Sequence, residues 1–155
     1  MIAAMATEVN GIDGLKDLVG THLGYSEWTE ITQEQVNTFA DATGDHQWIH
    51  VDVEKAKAGP FGGPIAHGYL TLSLSPKLFP EIMSVSGITG AINYGCDKVR
   101  FLTPVPVGAR VRLGAELTRV EDIPGGARVY MKFTTEIEGK DKPACISEVI
   151  FQYFA

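Results

Sequence analysis

Residues 111–118 alternate without interruption: Val111, Leu113, Ala115 and Leu117 interleave with Arg112, Gly114, Glu116 and Thr118. Successive side chains of a strand point to opposite faces, so this period belongs to a sheet with one face buried and the other in water. The pattern commits the second half of the chain to strands, read at 88–94, 98–102, 109–120, 127–138 and 144–153. Pro124-Gly125-Gly126 and Glu138-Gly139-Lys140 carry turn residues between runs. Neighbouring runs joined by such short turns are expected to pair as an antiparallel meander.

The first half reads differently. Ile12, Leu15, Leu18 and Val19 recur at helical spacing within 11–20, closed by Gly20, and 25–31 reads as a strand. Thr32-Gln33-Glu34-Gln35 matches a capping box, in which a Thr oxygen accepts from an orphan amide of the helix that follows. Val36, Phe39, Ala40 and Thr43 line one face of that helix, and Gly44 is its expected stop. Asp52 is expected to cap a second short helix running to about Ala58, and 59–64 is Gly/Pro loop. From 65 to 78 the chain is apolar and small (Ala66, Tyr69, Leu70, Leu72, Ser73, Leu74), with no charge before Lys77. A helix apolar nearly all round is a buried one, so it is expected at the centre. Helices first and strands after give an α+β class, with a buried helix against a curved antiparallel sheet.

At 155 residues, the chain is expected to form a single domain over 1–155, with 1–20 as an N-terminal extension carrying the short helix. The net charge of -6 argues against nucleic acid and against an anionic membrane surface, both of which want a basic face. It leaves room for an anionic small molecule. Cys96 and Cys145 have neither metal spacing nor a CxxC, so no disulfide framework is expected, and Cys96 reads as a passive thiol. The N-terminus lacks a basic n-region, and no apolar run approaches a membrane span, so the expected address is the cytoplasm.

The chemistry concentrates in Gly44-Asp45-His46-Gln47-Trp48-Ile49-His50-Val51-Asp52, between two expected helices. A carboxylate and an imidazole that share one water can deprotonate it and deliver a proton elsewhere. Amides at the Ala66-His67-Gly68 turn, heading the buried helix, can stabilise an oxygen that gains negative charge. Each residue also has a plainer reading. Asp45 can be a turn Asp bonding local amides, and His50 a core His satisfied by a carbonyl. His46 reads as surface, Asp52 as a cap, and His67 as orienting the turn. His46, His50, Asp45 and Asp52 suit zinc poorly, with neither HExxH nor a distant third ligand, so no metal is expected.

Gly44-Asp45-x-x-x-x-His50 followed by Pro64-Ile65-Ala66-His67-Gly68 resembles the MaoC-like dehydratases, or R-specific enoyl-CoA hydratases. Within that family the likeness points to the actinobacterial 3-hydroxyacyl-thioester dehydratases, and it covers about residues 21–155. The resemblance implies a hot-dog fold, with the long helix wrapped by the sheet. It implies a cofactor-free hydro-lyase that reversibly adds water to a trans-2-enoyl-CoA thioester, giving an R-3-hydroxyacyl thioester. It makes Asp45 and His50 the catalytic dyad, the Gly68 N–H the oxyanion donor and Ser73 a supporting residue, and it implies a homodimer. The family's usual Asn-Pro is replaced here by Gln47-Trp48, where Trp48 is bulky enough to reshape a pocket. Three other readings stay open: the same chemistry on acyl carrier protein, with Lys98 and Arg100 as possible contacts; a hot-dog thioesterase; and a non-catalytic subunit of a heterodimer.

Overall fold

A computed structural model describes residues 5–155. In chain order the elements are β1 (Thr7–Asn10), α1 (Gly11–Asp17), β2 (Thr21–Tyr25), β3 (Thr29–Glu30), α2 (Gln33–Thr43), α3 (Trp48–Val51), α4 (Val53–Lys57), α5 (Gly68–Ser73), α6 (Ser75–Leu78), β4 (Met83–Ser86), β5 (Gly90–Phe101), β6 (Arg110–Ile123), β7 (Gly126–Ile137) and β8 (Cys145–Phe154). The class is α+β, as expected. The antiparallel sheet runs β2-β6-β7-β8-β5, with β3 also paired to β6. The alternation in β6 has the consequence read from it: Val111, Leu113, Ala115 and Leu117 are fully buried. They share the inner face with Val129, Met131 and Phe133 of β7. Phe79, in the single 3-10 turn after α6, closes this core, its ring 5.2 Å from Phe133 and 5.8 Å from Phe151.

The meander holds for β6, β7 and β8 but not for β5, which pairs with β8 at the far edge from β6. Residues 102–109 must therefore cross back from the β5 edge to β6. Where the crossover turns inward at Val105, its backbone polar groups need partners. It finds them on the segment before α5: Ala66 N–H donates to Val105 O at 2.8 Å and Val107 N–H to Pro64 O at 2.9 Å. The expected strands 88–94 and 98–102 are one strand, irregular between Asn93 and Gly95 and between Cys96 and Lys98.

Three other expectations are corrected. The strand placed at 25–31 is two pieces, β2 and β3. At the break, Ser26 N–H donates to Leu113 O (2.8 Å) while Ser26 Oγ accepts from Leu113 N–H (2.9 Å), so a side chain stands in for a ladder carbonyl. β1 and β4, unforeseen, form a separate parallel pair. Only Val9 of β1 is buried, too little for a visible alternation. The helix expected over 65–78 starts at Gly68 and is divided at Leu74. Pro76 lacks the amide that would bond Leu72 O, and Ser75 Oγ–H donates there instead, at 2.9 Å. Nor is it buried all round. Leu70, Thr71, Leu74, Ser75 and Leu78 face the core, while Tyr69 is 71% exposed.

Thr32 caps α2 as read, its Oγ1 accepting from Gln35 N–H at 3.1 Å. Gly44 ends that helix with φ 81°, a left-handed conformation glycine adopts without steric cost. Among the described residues, no helix is long and apolar enough to cross a membrane.

Candidate active site

Gly44 turns the chain out of α2 and presents Asp45. The Asp45 carboxylate makes a local turn, Oδ1 accepting from Gln47 N–H at 3.3 Å, so the plain turn reading is part of its role. Asp45 is exposed. Five residues on, His50 is 7% exposed. It lies in the single helical turn α3 rather than in open loop, and Gln33 Nε2–H donates to its carbonyl at 2.8 Å, tying α3 to the start of α2.

His50 Nδ1 lies 2.6 Å from Ile65 O. A carbonyl only accepts, so Nδ1 carries the proton and Nε2 keeps a lone pair. Burial pushes the His50 pKa below its ordinary value of 6.5. The Ile65 carbonyl opposes that shift, the nearby His67 adds to it, and Asp45 opposes it. This is the environment of an imidazole held neutral as a base.

His67, 2% exposed, stacks on His50 with ring centroids 3.9 Å apart and planes at 25°. Its Nε2–H donates to Asp45 O at 3.0 Å. Asp45, His50 and His67 each bring a carboxylate oxygen or ring nitrogen within 4.8 Å of the other two. They are the one group among the described residues with the donor types and spacing of a metal site. Two nearly parallel rings send their in-plane lone pairs side by side rather than to a common point, and each ring already spends one nitrogen on a carbonyl.

A cleft of about 220 Å³ opens beside this cluster, lined by His50, Gly68, Thr71, Phe101, Thr103 and Val105 among others. Gly68 heads α5, ahead of its first hydrogen bond, from Thr71 N–H to His67 O at 3.1 Å. The need for glycine there is concrete: a Cβ would lie 3.0–3.2 Å from the Phe101 ring. The close neighbour at this Cα is thus a side chain of the same protein, not only an incoming ligand.

The structure brings Asp45, His50 and the Gly68 turn to one place, and it does not bring Ser73 there. Ser73 Oγ–H donates to Tyr69 O at 2.6 Å, and the residue lines a second cleft of about 320 Å³ with Leu72, Asn93, Cys96 and Phe151. His46 is a surface residue paired with Asp41 at 2.9 Å, which raises its pKa. Asp52 caps α4, accepting from Lys55 N–H at 3.0 Å. Trp48 packs on Gly59, outside the 220 Å³ cleft. Phe101 and Thr103 reach the cleft from β5 and the crossover, far away in sequence. No local pattern marks them.

A family model described as "MaoC like domain" matches residues 15–139. The 3-hydroxyacyl-thioester dehydratase Z of Mycobacterium tuberculosis is 56% identical over 137 residues, covering 88% of this chain and 91% of the relative. Nodulation protein N of Rhizobium meliloti is 43% identical over 145 residues, covering 86% of this chain and 84% of the relative. Among solved structures, R-hydratase PhaJ1 from Pseudomonas aeruginosa superposes with a TM-score of 0.70 at 25% identity, covering 87% of this chain and 81% of that one.

Proposed function

The chain belongs to the MaoC-like domain family and has its hot-dog fold, and from that premise we propose that it adds water to trans-2-enoyl-CoA thioesters, and removes it, through Asp45, His50 and Gly68. The activity class is a hydro-lyase of fatty-acid metabolism, of the hydratase/dehydratase kind, as the names of its relatives indicate. The finer reading assigns roles to this chain's own atoms. Water lies between the Asp45 carboxylate and the bare Nε2 of His50. One of the pair takes its proton as the oxygen bonds to the β-carbon. A proton is delivered to the α-carbon, and the thioester oxygen, gaining charge meanwhile, accepts from the Gly68 N–H. Dehydration is the same path reversed. No step calls for a cofactor.

The observation that carries this reading is the approach of the Asp45 and His50 functional atoms to within 4.8 Å, with His50 on the wall of the cleft that Gly68 also lines. Ser73 has no part in it within one protomer. Lys98 and Arg100 lie opposite Glu148 and Ile146 in register on β8.

The reading includes a homodimer. β5 is a sheet edge, and such an edge offers unpaired backbone groups to a second strand. Ile92 and Tyr94 on β5 are 53% and 52% exposed, and toward the other end of the strand the exposed Phe101 packs against the exposed Tyr69. Exposed apolar side chains along an open edge suit an interface. A second copy of this chain is the fitting occupant, and the expected address is the cytoplasm.

Crotonyl-CoA tests the activity, through loss of the conjugated absorbance and chiral analysis of the product. Asp45→Asn and His50→Ala should each abolish turnover in a folded protein, and full activity in both would remove the mechanism. Sedimentation would report the dimer, with Ile92→Lys expected to weaken it.

A further inference from the structure

His67 touches every part of the candidate site. Its Nε2–H holds the Asp45 carbonyl at 3.0 Å, its ring lies flat on the His50 ring, and it immediately precedes Gly68. Phe39 of α2 packs against it from another side, with ring centroids 4.8 Å apart at 52°. Its Nδ1 is buried with no hydrogen-bond partner among the described residues. A core histidine chosen only for packing has no reason to bury an unsatisfied nitrogen, which costs free energy.

We propose that His67 is a positioning residue for the hydration reaction: it clamps the Asp45 backbone to the start of α5 and sets the plane of the His50 ring, so that base, acid and oxyanion donor keep one geometry. This rests on the reading of Asp45 and His50 as the reacting pair. The clamp is needed because Asp45 is exposed and its segment is otherwise tied locally, by Asp45 N–H to Thr43 Oγ1 at 3.4 Å and by the Gln47 turn. The Nδ1–H bond fixes the tautomer of His50, but a single bond leaves the ring free to tilt. The His67 face removes that freedom.

The titratable groups acting on His50 are Asp45, on the loop after α2, and His67. The neighbours that share its cleft from α5, β5 and the crossover, including Thr71, Phe101, Thr103, Pro104 and Val105, carry no charge. α2 meets it through the neutral Gln33. A second imidazole against the His50 ring disfavours a charge there. Removing it should let His50 protonate at higher pH.

The test compares His67→Gln, whose amide can still donate to Asp45 O, with His67→Ala, which cannot. It uses full-length protein and crotonyl-CoA, with Asp45→Asn as control. Misplaced reacting groups cost up to about a hundredfold, so kcat is expected to fall roughly 10–100-fold in His67→Ala and less in His67→Gln. KM should change little. The acid limb of the kcat/KM profile should move to higher pH in both. The inference is overturned if both variants keep wild-type kcat and an unmoved acid limb while Asp45→Asn is inactive. It is also overturned if His67→Gln is as impaired as His67→Ala with the limb unmoved, the mark of a packing role. Should His67→Ala not fold, the His67→Gln kcat and limb decide alone. An active Asp45→Asn protein would sink the underlying mechanism instead, and is told apart by that control.

Discussion

The inner face of β6 and β7 and the seam where His50 and His67 meet α2 both reach the interior and are built on opposite rules. On the sheet, Val111, Leu113, Leu117, Val129, Met131 and Phe133 fill the interior with carbon. At the seam, His50 and His67 take interior positions, and Gln33 Oε1 and His67 Nδ1 are left without hydrogen bonds among the described residues. Burying an unsatisfied polar atom costs about 1–3 kcal/mol, so the seam is held by the rest of the molecule rather than contributing to it. Stability resides in the sheet, and the proposed reaction is placed where the interior is polar and imperfectly satisfied.

The largest expected effect separates the two regions. Asp45→Asn should abolish turnover, a fall in kcat of at least the roughly 10²–10⁴-fold that positioned acid–base catalysis is worth, while leaving the thermal midpoint within a few degrees. A comparable fall in stability would mean that Asp45 is structural. The mirror experiment is Leu113→Ala, which empties a fully buried site on β6. It should destabilise by about 2–5 kcal/mol in denaturant unfolding, with kcat of the folded fraction nearly unchanged. Lost turnover without lost stability would erase the distinction.

A pH series probes the seam more finely. Because the His50 pKa is lowered from 6.5 mainly by burial, its neutral form persists into mild acid, and the acid limb of kcat/KM should lie below 6.5. The unfolded chain binds that proton more readily, so this histidine's contribution to stability should decline as pH falls below 6.5. A limb above 6.5 would contradict the environment described for His50. The smallest effect is expected at Thr32→Ala, which removes the α2 cap and should cost about 1 kcal/mol. Because α2 carries Gln33 and leads to Asp45, a modest loss of kcat should accompany it. Unchanged stability would show that the cap is replaced by solvent.

Much of both regions was legible in the chain, for different reasons. β6 was read from its alternation, α2 from Thr32 and Gly44, and α4 from Asp52, because each signal sits within a few residues of its effect. The Asp45–His50 pair was legible as a motif, and the structure brings its atoms together. Ser73 lines a different cleft from His50 within one protomer: spacing along a helix says which turn a residue occupies, not which side of that turn faces a given cleft. The breaks at Ser26 and Leu74 were missed because each depends on one hydroxyl bonding a particular backbone group.

Sequence by itself determined the class, the sheet-forming half, the capped helix and the motif that carries the proposed acid–base pair, since periodicity, caps and short motifs are local properties of a chain. Only the tertiary structure decided that β5 lies at the far edge, that the 102–109 crossover is strapped to the segment before α5, that Phe101 covers Gly68 and that His67 lies on His50. Those facts depend on contacts between segments far apart in the chain, where the free energy of burying one surface against another, and not any local preference, selects the partner.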